Sequence, residues 1–392
     1  MELRHFFSAA MFCTLIASTG LVSGQAQEPT AALPAQQVQD KAPPAKPSTL
    51  DSRTQRILAA QVALDRAGFS PGELDASTGN NTQRALRSFQ EKQGLPATGE
   101  LDERTITGLG EAFAAPIVSY AITPEDVAGP FVEKIPTDMM EKSKLPALGY
   151  SSVLELLSER FHSSPKLLQR LNPQATFERG EVIAVPNVDM FIAPGLKAAD
   201  SASTAPVAGS ATDAAPARGA TPPKGESDAA RAGGSKPPSS SSGNKPTGGN
   251  KPAASASGNV VIVTDKTKTL IVQNAAGETI FHAPVTVGSE NDPLPVGEWK
   301  VNGVSPNPTF NYNPDLFWDA DPSHAKAKIP AGPNNPVGVV WIDLSKEHYG
   351  IHGTPEPARV GYTESHGCIR LSNWNAMRLA SLVAPGTKVI LR

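Results

Sequence analysis

Apolar positions recur at three-to-four spacing through the first part of the chain. Ile57, Leu58, Val62, Leu64 and Ala67 predict one helix, with Gly68 as its C-terminal stop. A turn-rich stretch from Ser70 to Gly79 leads to Asn81-Thr82, read as the cap of a second helix carrying Ala85, Leu86, Phe89 and Gln90. Leu101, Thr105, Ile106 and Leu109 predict a third helix. Leu154, Leu156, Leu157 and Phe161 then form an amphipathic stripe, and Leu167, Leu168 and Leu171 form another. Val182-Ile183-Ala184-Val185 follows as a strand. From Val260 the pattern becomes β-rich. Val260–Val263, Thr269–Val272, Thr279–Phe281, Val285–Gly288, Gly297–Val301, Val339–Ile342 and Lys388–Leu391 predict short strands, with Asn274-Ala275-Ala276-Gly277 as a hairpin turn. One helix begins after Ser372-Asn373, runs through Ala376, Met377, Leu379, Ala380 and Val383, and stops at Pro385-Gly386. Short strands with one helix predict a mainly-β sandwich or barrel. Pro306 to Pro336 is too proline-rich for a central strand and reads as a long loop or lid beside a site.

Composition divides the chain further. Among 392 residues there are 33 Gly and 37 Pro but only 6% aromatics, so part of the chain builds no core. Gln25 to Ser48 is Ala/Pro/Gln-rich. About Ala198 to Gly258 is Ala/Pro/Gly/Ser/Thr with Val207 as its one sizeable apolar residue. The second stretch reads as a flexible tether that lets the halves move independently. With 35 Lys+Arg against 38 Asp+Glu, the formal charge is −3, which excludes a duplex nucleic acid partner. Arg4 and His5 precede an apolar stretch from Phe6 to Val22, followed by small residues Ser23, Gly24 and Ala26. That order predicts a cleaved export signal, with no transmembrane anchor after cleavage, and a periplasmic or cell-wall location. Cleavage removes Cys13 and leaves Cys368 as the one thiol in an oxidising compartment.

Several of these segments resemble known modules. Gly68-Phe69 with Pro71-Gly72, Asp75, Thr82 to Ala85, Phe89-Gln90, Gly94-Leu95 and Gly99 to Thr105 resemble the three-helix peptidoglycan-binding domain of cell-wall enzymes. Ala76 departs from it, standing where that family usually has Gly. Tyr150, Asn172-Pro173 and the Gly180 to Pro186 ending resemble a LysM module, a βααβ glycan binder, although Ser152-Val153-Leu154-Glu155 replaces its usual opening. A purely structural role for this second unit remains open.

The chemistry lies in Ile351-His352-Gly353-Thr354 and, after a gap, Ser365-His366-Gly367-Cys368-Ile369-Arg370-Leu371. A thiol attacks as thiolate and needs a base or a positive neighbour. His352 and His366 both stand close in sequence, and a tight turn at Gly367 suits exposure of backbone donors to an oxyanion. The bland alternative is a buried cysteine with two core histidines. Zinc needs a third protein ligand, and no His-Glu-x-x-His is present; Asp343 and Glu364 stand at no metal spacing. Ser365 lacks the Gly-x-Ser-x-Gly elbow of a serine hydrolase. No metal and no cofactor is expected.

Together with Pro295-Val296-Gly297 and Asn335-Pro336-Val337-Gly338, these strings resemble the YkuD-type L,D-transpeptidase catalytic domain over about residues 259–392. The resemblance implies that Cys368 is the nucleophile, that His352 is the base and later the acid, and that the Gly353 carbonyl orients His352. It also implies an oxyanion hole from amides around His366, Gly367 and Cys368, with Ser365 in support. Arg370 positions the motif, meets a substrate carboxylate or makes a structural ion pair. Tyr312, Trp318 and Tyr349 are candidate walls of the substrate cleft. The implied reaction is acyl transfer between peptidoglycan stem peptides through a Cys368 thioester, giving a 3→3 cross-link. Water (an L,D-carboxypeptidase) or a wall-attached protein lysine are alternative acceptors, and a non-catalytic wall-binding protein is the rival of another class.

The expected order is therefore signal peptide (1–26), linker (27–50), peptidoglycan-binding-like domain (51–115), connector (116–148), LysM-like module (149–190), linker (191–258) and catalytic domain (259–392).

Overall fold

Asp51 accepts a hydrogen bond from the Thr54 amide and starts α1 (Ser52–Arg66), the first element of a computed structural model that describes residues 50–195 and 258–392. The expected export signal with Cys13 and nearly all of both expected linkers lie outside the described residues.

In the helical domain, α2 (Asn80–Lys92) is preceded by Gly79. Asn81 and Thr82 are buried in its first turn and do not cap it, which corrects the expected start. Asp102 caps α3 (Glu103–Leu109), and a single turn, α4 (Glu111–Ala114), follows. Leu64, Phe69, Ala85, Leu86, Phe89 and Leu109 form the core, with Phe69 edge-on to Phe89 at 5.6 Å. Buried Gln90 ties the next turn together, bonding the Gly99 amide, the Glu100 carbonyl and Thr105. Ala76 adopts φ 58°, the left-handed conformation Gly would take, and Gln61 holds its amide at 2.9 Å.

The second unit opens earlier than its sequence pattern suggested. β1 (Ile117–Ala121) pairs antiparallel with β2 (Val182–Pro186), so the expected connector supplies the strand that satisfies the β2 backbone. Between them lie α5 (Pro124–Val127), α6 (Met139–Ser143), α7 (Val153–Arg160) and α8 (Pro165–Leu171). Arg160 pairs with buried Asp126, which also accepts from the Tyr120 hydroxyl at 2.7 Å.

The back half is one eight-stranded sheet. Its strands are β3 (Val260–Thr264), β4 (Thr269–Gln273), β5 (Thr279–Pro284), β6 (Gly297–Pro306), β9 (Val340–Leu344), β10 (Gly350–His352), β11 (Ile369–Arg370) and β12 (Lys388–Leu391), in the order β11-β10-β9-β6-β12-β3-β4-β5. Bridges Thr286 to Arg370 and Gly288 to Ser365 bring the segment after β5 against β11, so the sheet curls until its two ends meet. A curled sheet replaces the sandwich alternative. The proline-rich loop carries a small hairpin, β7 (Phe310–Tyr312) with β8 (Ala327–Ile329). The one α-helix of this half, α9 (Asn373–Leu382), begins right after the Cys368 segment.

The front half is packed against the back half, contrary to the expected independence. His282 and the Gly68–Ser70 segment exchange backbone hydrogen bonds at 2.8 and 2.9 Å. Asn81 donates to the Val360 carbonyl, Asn375 to Ser70, and Arg378 to the Asp65 carbonyl. The ring of His162 lies on Trp374, with centroids 5.1 Å apart and 7° between planes. One apolar core runs from Leu50 to Leu391. The contacts that secure this packing are scattered singly along the sequence, where no periodicity marks them.

Candidate active site

Two short strands set the site. β10 and β11 pair in parallel with Ile351 opposite Ile369 and His352 opposite Arg370, so Gly350 comes level with Cys368. Alternate residues of a strand share a face, which puts His352 two positions along from Cys368 on the same side.

His352 is buried, and its Nδ1 lies 2.6 Å from the Gly353 carbonyl oxygen. A carbonyl only accepts, so Nδ1 carries the proton and Nε2 keeps its lone pair. Trp341, its partner in the β9 register, stacks on the ring at 5.5 Å and 17°. Burial, and then the Arg370 charge, push the His352 pKa down to about 3. Burial pushes the Cys368 thiol up, while the Gly350 backbone and Arg370 pull it back. Both groups therefore rest uncharged near neutrality. The thiol is partly exposed and lies 3.9 Å from the His348 carbonyl.

The turn before Cys368 is clamped from inside. Ser365 Oγ donates to the Cys368 carbonyl at 2.6 Å, and the Ser365 amide donates to Val287 at 2.9 Å. Gly367 has φ 98°, and a methyl group there would sit 2.8 Å from the Tyr349 ring. That position requires glycine on both counts. Tyr349 thus lies beside the motif, and its hydroxyl pKa is raised by burial first and by Asp292 and Cys368 after it.

The proline-rich loop reaches His366. Its Nε2 is 2.7 Å from Asp319, with Phe317 edge-on at 5.1 Å and Trp318 tilted at 5.9 Å. Trp318 is 63% exposed. Tyr312 corrects the expectation. It is buried under the loop against Phe310 and Phe317, its hydroxyl 2.9 Å from His324 Nδ1, because the hairpin needs a core of its own. For Arg370 the structure removes only the ion-pair alternative. Its guanidinium makes no ion pair among the described residues, and Nε is buried without a partner.

Asp319, Trp341, Asn373 and Glu159 were missed from the sequence. Trp341 had a usable signal, as an aromatic within a predicted strand; the other three are lone polar residues outside any motif. Asn373 Oδ1 accepts from the Val339 amide, and its Nδ2 donates to Glu159 of α7 at 2.7 Å.

The family model for the L,D-transpeptidase catalytic domain (YkuD) matches residues 259–391, and that described as "Putative peptidoglycan binding domain" matches residues 53–109. "Putative L,D-transpeptidase YkuD" of Bacillus subtilis is 34% identical over 131 residues, covering 33% of this chain and 63% of that protein. "Putative L,D-transpeptidase YqjB" of the same organism is 30% identical over 138 residues, covering 33% of this chain and 69% of that protein. The chain thus spans 63% of the length of the first of these relatives. A solved structure, L,D-transpeptidase from Mycobacterium smegmatis, aligns with TM-score 0.28 and 21% identity over 34% of this chain and 58% of that one.

Proposed function

The chain belongs to the YkuD L,D-transpeptidase family, and on that premise we propose that it forms 3→3 cross-links between peptidoglycan stem peptides through a thioester on Cys368. The observation that carries this reading is the hydrogen bond from His352 Nδ1 to the Gly353 carbonyl. It leaves Nε2 as an unprotonated base on the strand beside the thiol.

Cys368 Sγ attacks the carbonyl between the third residue of a stem tetrapeptide and its terminal D-alanine. His352 Nε2 takes the thiol proton as the S–C bond forms. The resting pair is uncharged, so charge separation develops only during attack, when backbone amides around His366, Gly367 and Cys368 stabilise the oxyanion. The same proton then passes to the D-alanine nitrogen as the C–N bond breaks, leaving the thioester. An amine on the third residue of a neighbouring stem attacks the thioester and gives its proton to Nε2. The new amide forms, and the thiol is restored. No metal or nucleotide enters this cycle. The helical domain, α1 to α3, holds the polymer nearby, and the protein acts outside the cytoplasmic membrane; no helix among the described residues is long and apolar enough to cross a membrane.

Replacing the base tests the assignment. His352→Ala is expected to lower turnover by at least about 100-fold, and a carbapenem, which mimics the acyl donor, is expected to add its mass to Cys368. Wild-type turnover in His352→Ala, or an unmodified Cys368 peptide, overturns it.

A further inference from the structure

α7 belongs to the front unit, yet one of its carboxylates is built into the surroundings of His352. Glu159 is buried and uses both oxygens, accepting from the Tyr150 hydroxyl at 2.5 Å and from Asn373 Nδ2 at 2.7 Å. Asn373 Nδ2 also donates to the Pro333 carbonyl at 3.1 Å, and its Oδ1 accepts from the Val339 amide at 3.1 Å. These partners fix which way the amide faces, since two acceptors meet its nitrogen and one donor meets its oxygen.

The amide also fills a cradle. A methyl group built on Gly338 would fall 2.0 Å from Asn373 Oδ1, and one on Gly353 would fall 2.1 Å from it. Asn373 therefore lies directly on the backbone of both glycines. Gly353 is the residue whose carbonyl fixes the His352 tautomer. A continuous contact runs from Glu159 through Asn373 and Gly353 to the imidazole, and its first member comes from the front half.

From this we propose that Glu159 is a positioning residue for His352, acting through Asn373, so that the front unit completes the active site as well as accompanying it. The proposal rests on the transpeptidase reading above. Loss of the Glu159 carboxylate frees one side of the Asn373 amide and removes the backing from Gly353. A base displaced by about 1 Å costs up to about 100-fold in rate. The other carboxylate on this face, Glu155, is engaged separately with Asn334 and Ser151.

The test uses the full chain on soluble stem tetrapeptides, with thermal unfolding measured alongside. Glu159→Ala is expected to lower kcat at least tenfold with KM within twofold of wild type. Glu159→Gln, which keeps an oxygen for Asn373, is expected to restore kcat to within about twofold. A merely structural carboxylate would lower the unfolding temperature without this kcat-against-KM split. Wild-type kcat in Glu159→Ala, or equal impairment of the Ala and Gln variants, overturns the proposal. Should Glu159→Ala fail to fold, Glu159→Asp draws the carboxylate back by one methylene and carries the same expectation and the same refutation. If wild type makes no cross-linked product, the transpeptidase reading fails on its own. The rate of Cys368 acylation by imipenem then tests Glu159 separately, with a tenfold loss in Glu159→Ala expected and no change overturning it.

Discussion

Nδ1 of His352 lies 2.6 Å from the carbonyl oxygen of Gly353, the residue that follows it in the chain. The contact assigns the tautomer, and the site assigns the charge. Burial and Arg370 both disfavour the imidazolium, so the ring stays neutral far below the usual histidine range.

The consequence for pH is direct. A base that protonates near pH 3 instead of near 6.5 remains competent through mild acid. The rate of Cys368 acylation is expected to stay level from about pH 7 to about pH 5, with its acid limb below about pH 4. Arg370→Met removes a positive neighbour, so the His352 pKa rises and the limb moves to higher pH. The same change lifts the thiol further, because Arg370 favours the thiolate. Stopped-flow acylation by a carbapenem across pH reads both. A wild-type limb centred near the ordinary histidine value contradicts the assignment.

Gly353 has no room for a side chain. Gly353→Ala sets a methyl group against Asn373 Oδ1, and either the amide or the His352 turn has to shift. Overpacking of this kind costs about 1–3 kcal/mol. Turnover is expected to fall at least tenfold, and Gly353→Ala combined with Asn373→Ala, which reopens the space, is expected to recover part of the lost stability. Urea unfolding and steady-state rates on the single and double variants measure this; a Gly353→Ala protein with wild-type stability and turnover contradicts it.

The packing of front on back runs against the expected independence of the halves and gives a prediction of its own. His162 covers the buried Trp374 of α9, and Arg378 of the same helix bonds the Asp65 carbonyl. A fragment of residues 258–392 exposes that face. It is expected to be less stable than the full chain by at least about 2 kcal/mol, the scale of one large apolar side chain returned to water. It should also bind a hydrophobic dye and turn over soluble stem peptides more slowly. Adding residues 50–195 as a separate fragment is expected to restore part of the rate. Equal stability and turnover in the isolated fragment would show that the contact is dispensable.

The legible part of this molecule was local. The Ser365 to Leu371 string, the His352 strand and the helical stripes around Leu64 and Phe89 each carry their signal within a few residues, since strand and helix periods are short-range. The illegible part is tertiary. Glu159 and Asn373 stand 214 positions apart, and a lone Glu in an amphipathic helix normally faces water. β1 hid within a proline-flanked connector because its partner β2 lies far along the chain. Tyr312 and Trp318 looked alike as loop aromatics; only the hairpin's need for its own core separates the buried one from the exposed one.

The most direct test of the account is the product mixture from the purified full chain and a defined stem tetrapeptide, resolved by mass spectrometry. The expected result is a 3→3 cross-linked dimer with one D-alanine released per bond formed and a transient acyl mass on the Cys368 peptide, all absent in Cys368→Ala. Dimer formed by Cys368→Ala, or tripeptide with no dimer at any acceptor concentration, would contradict it.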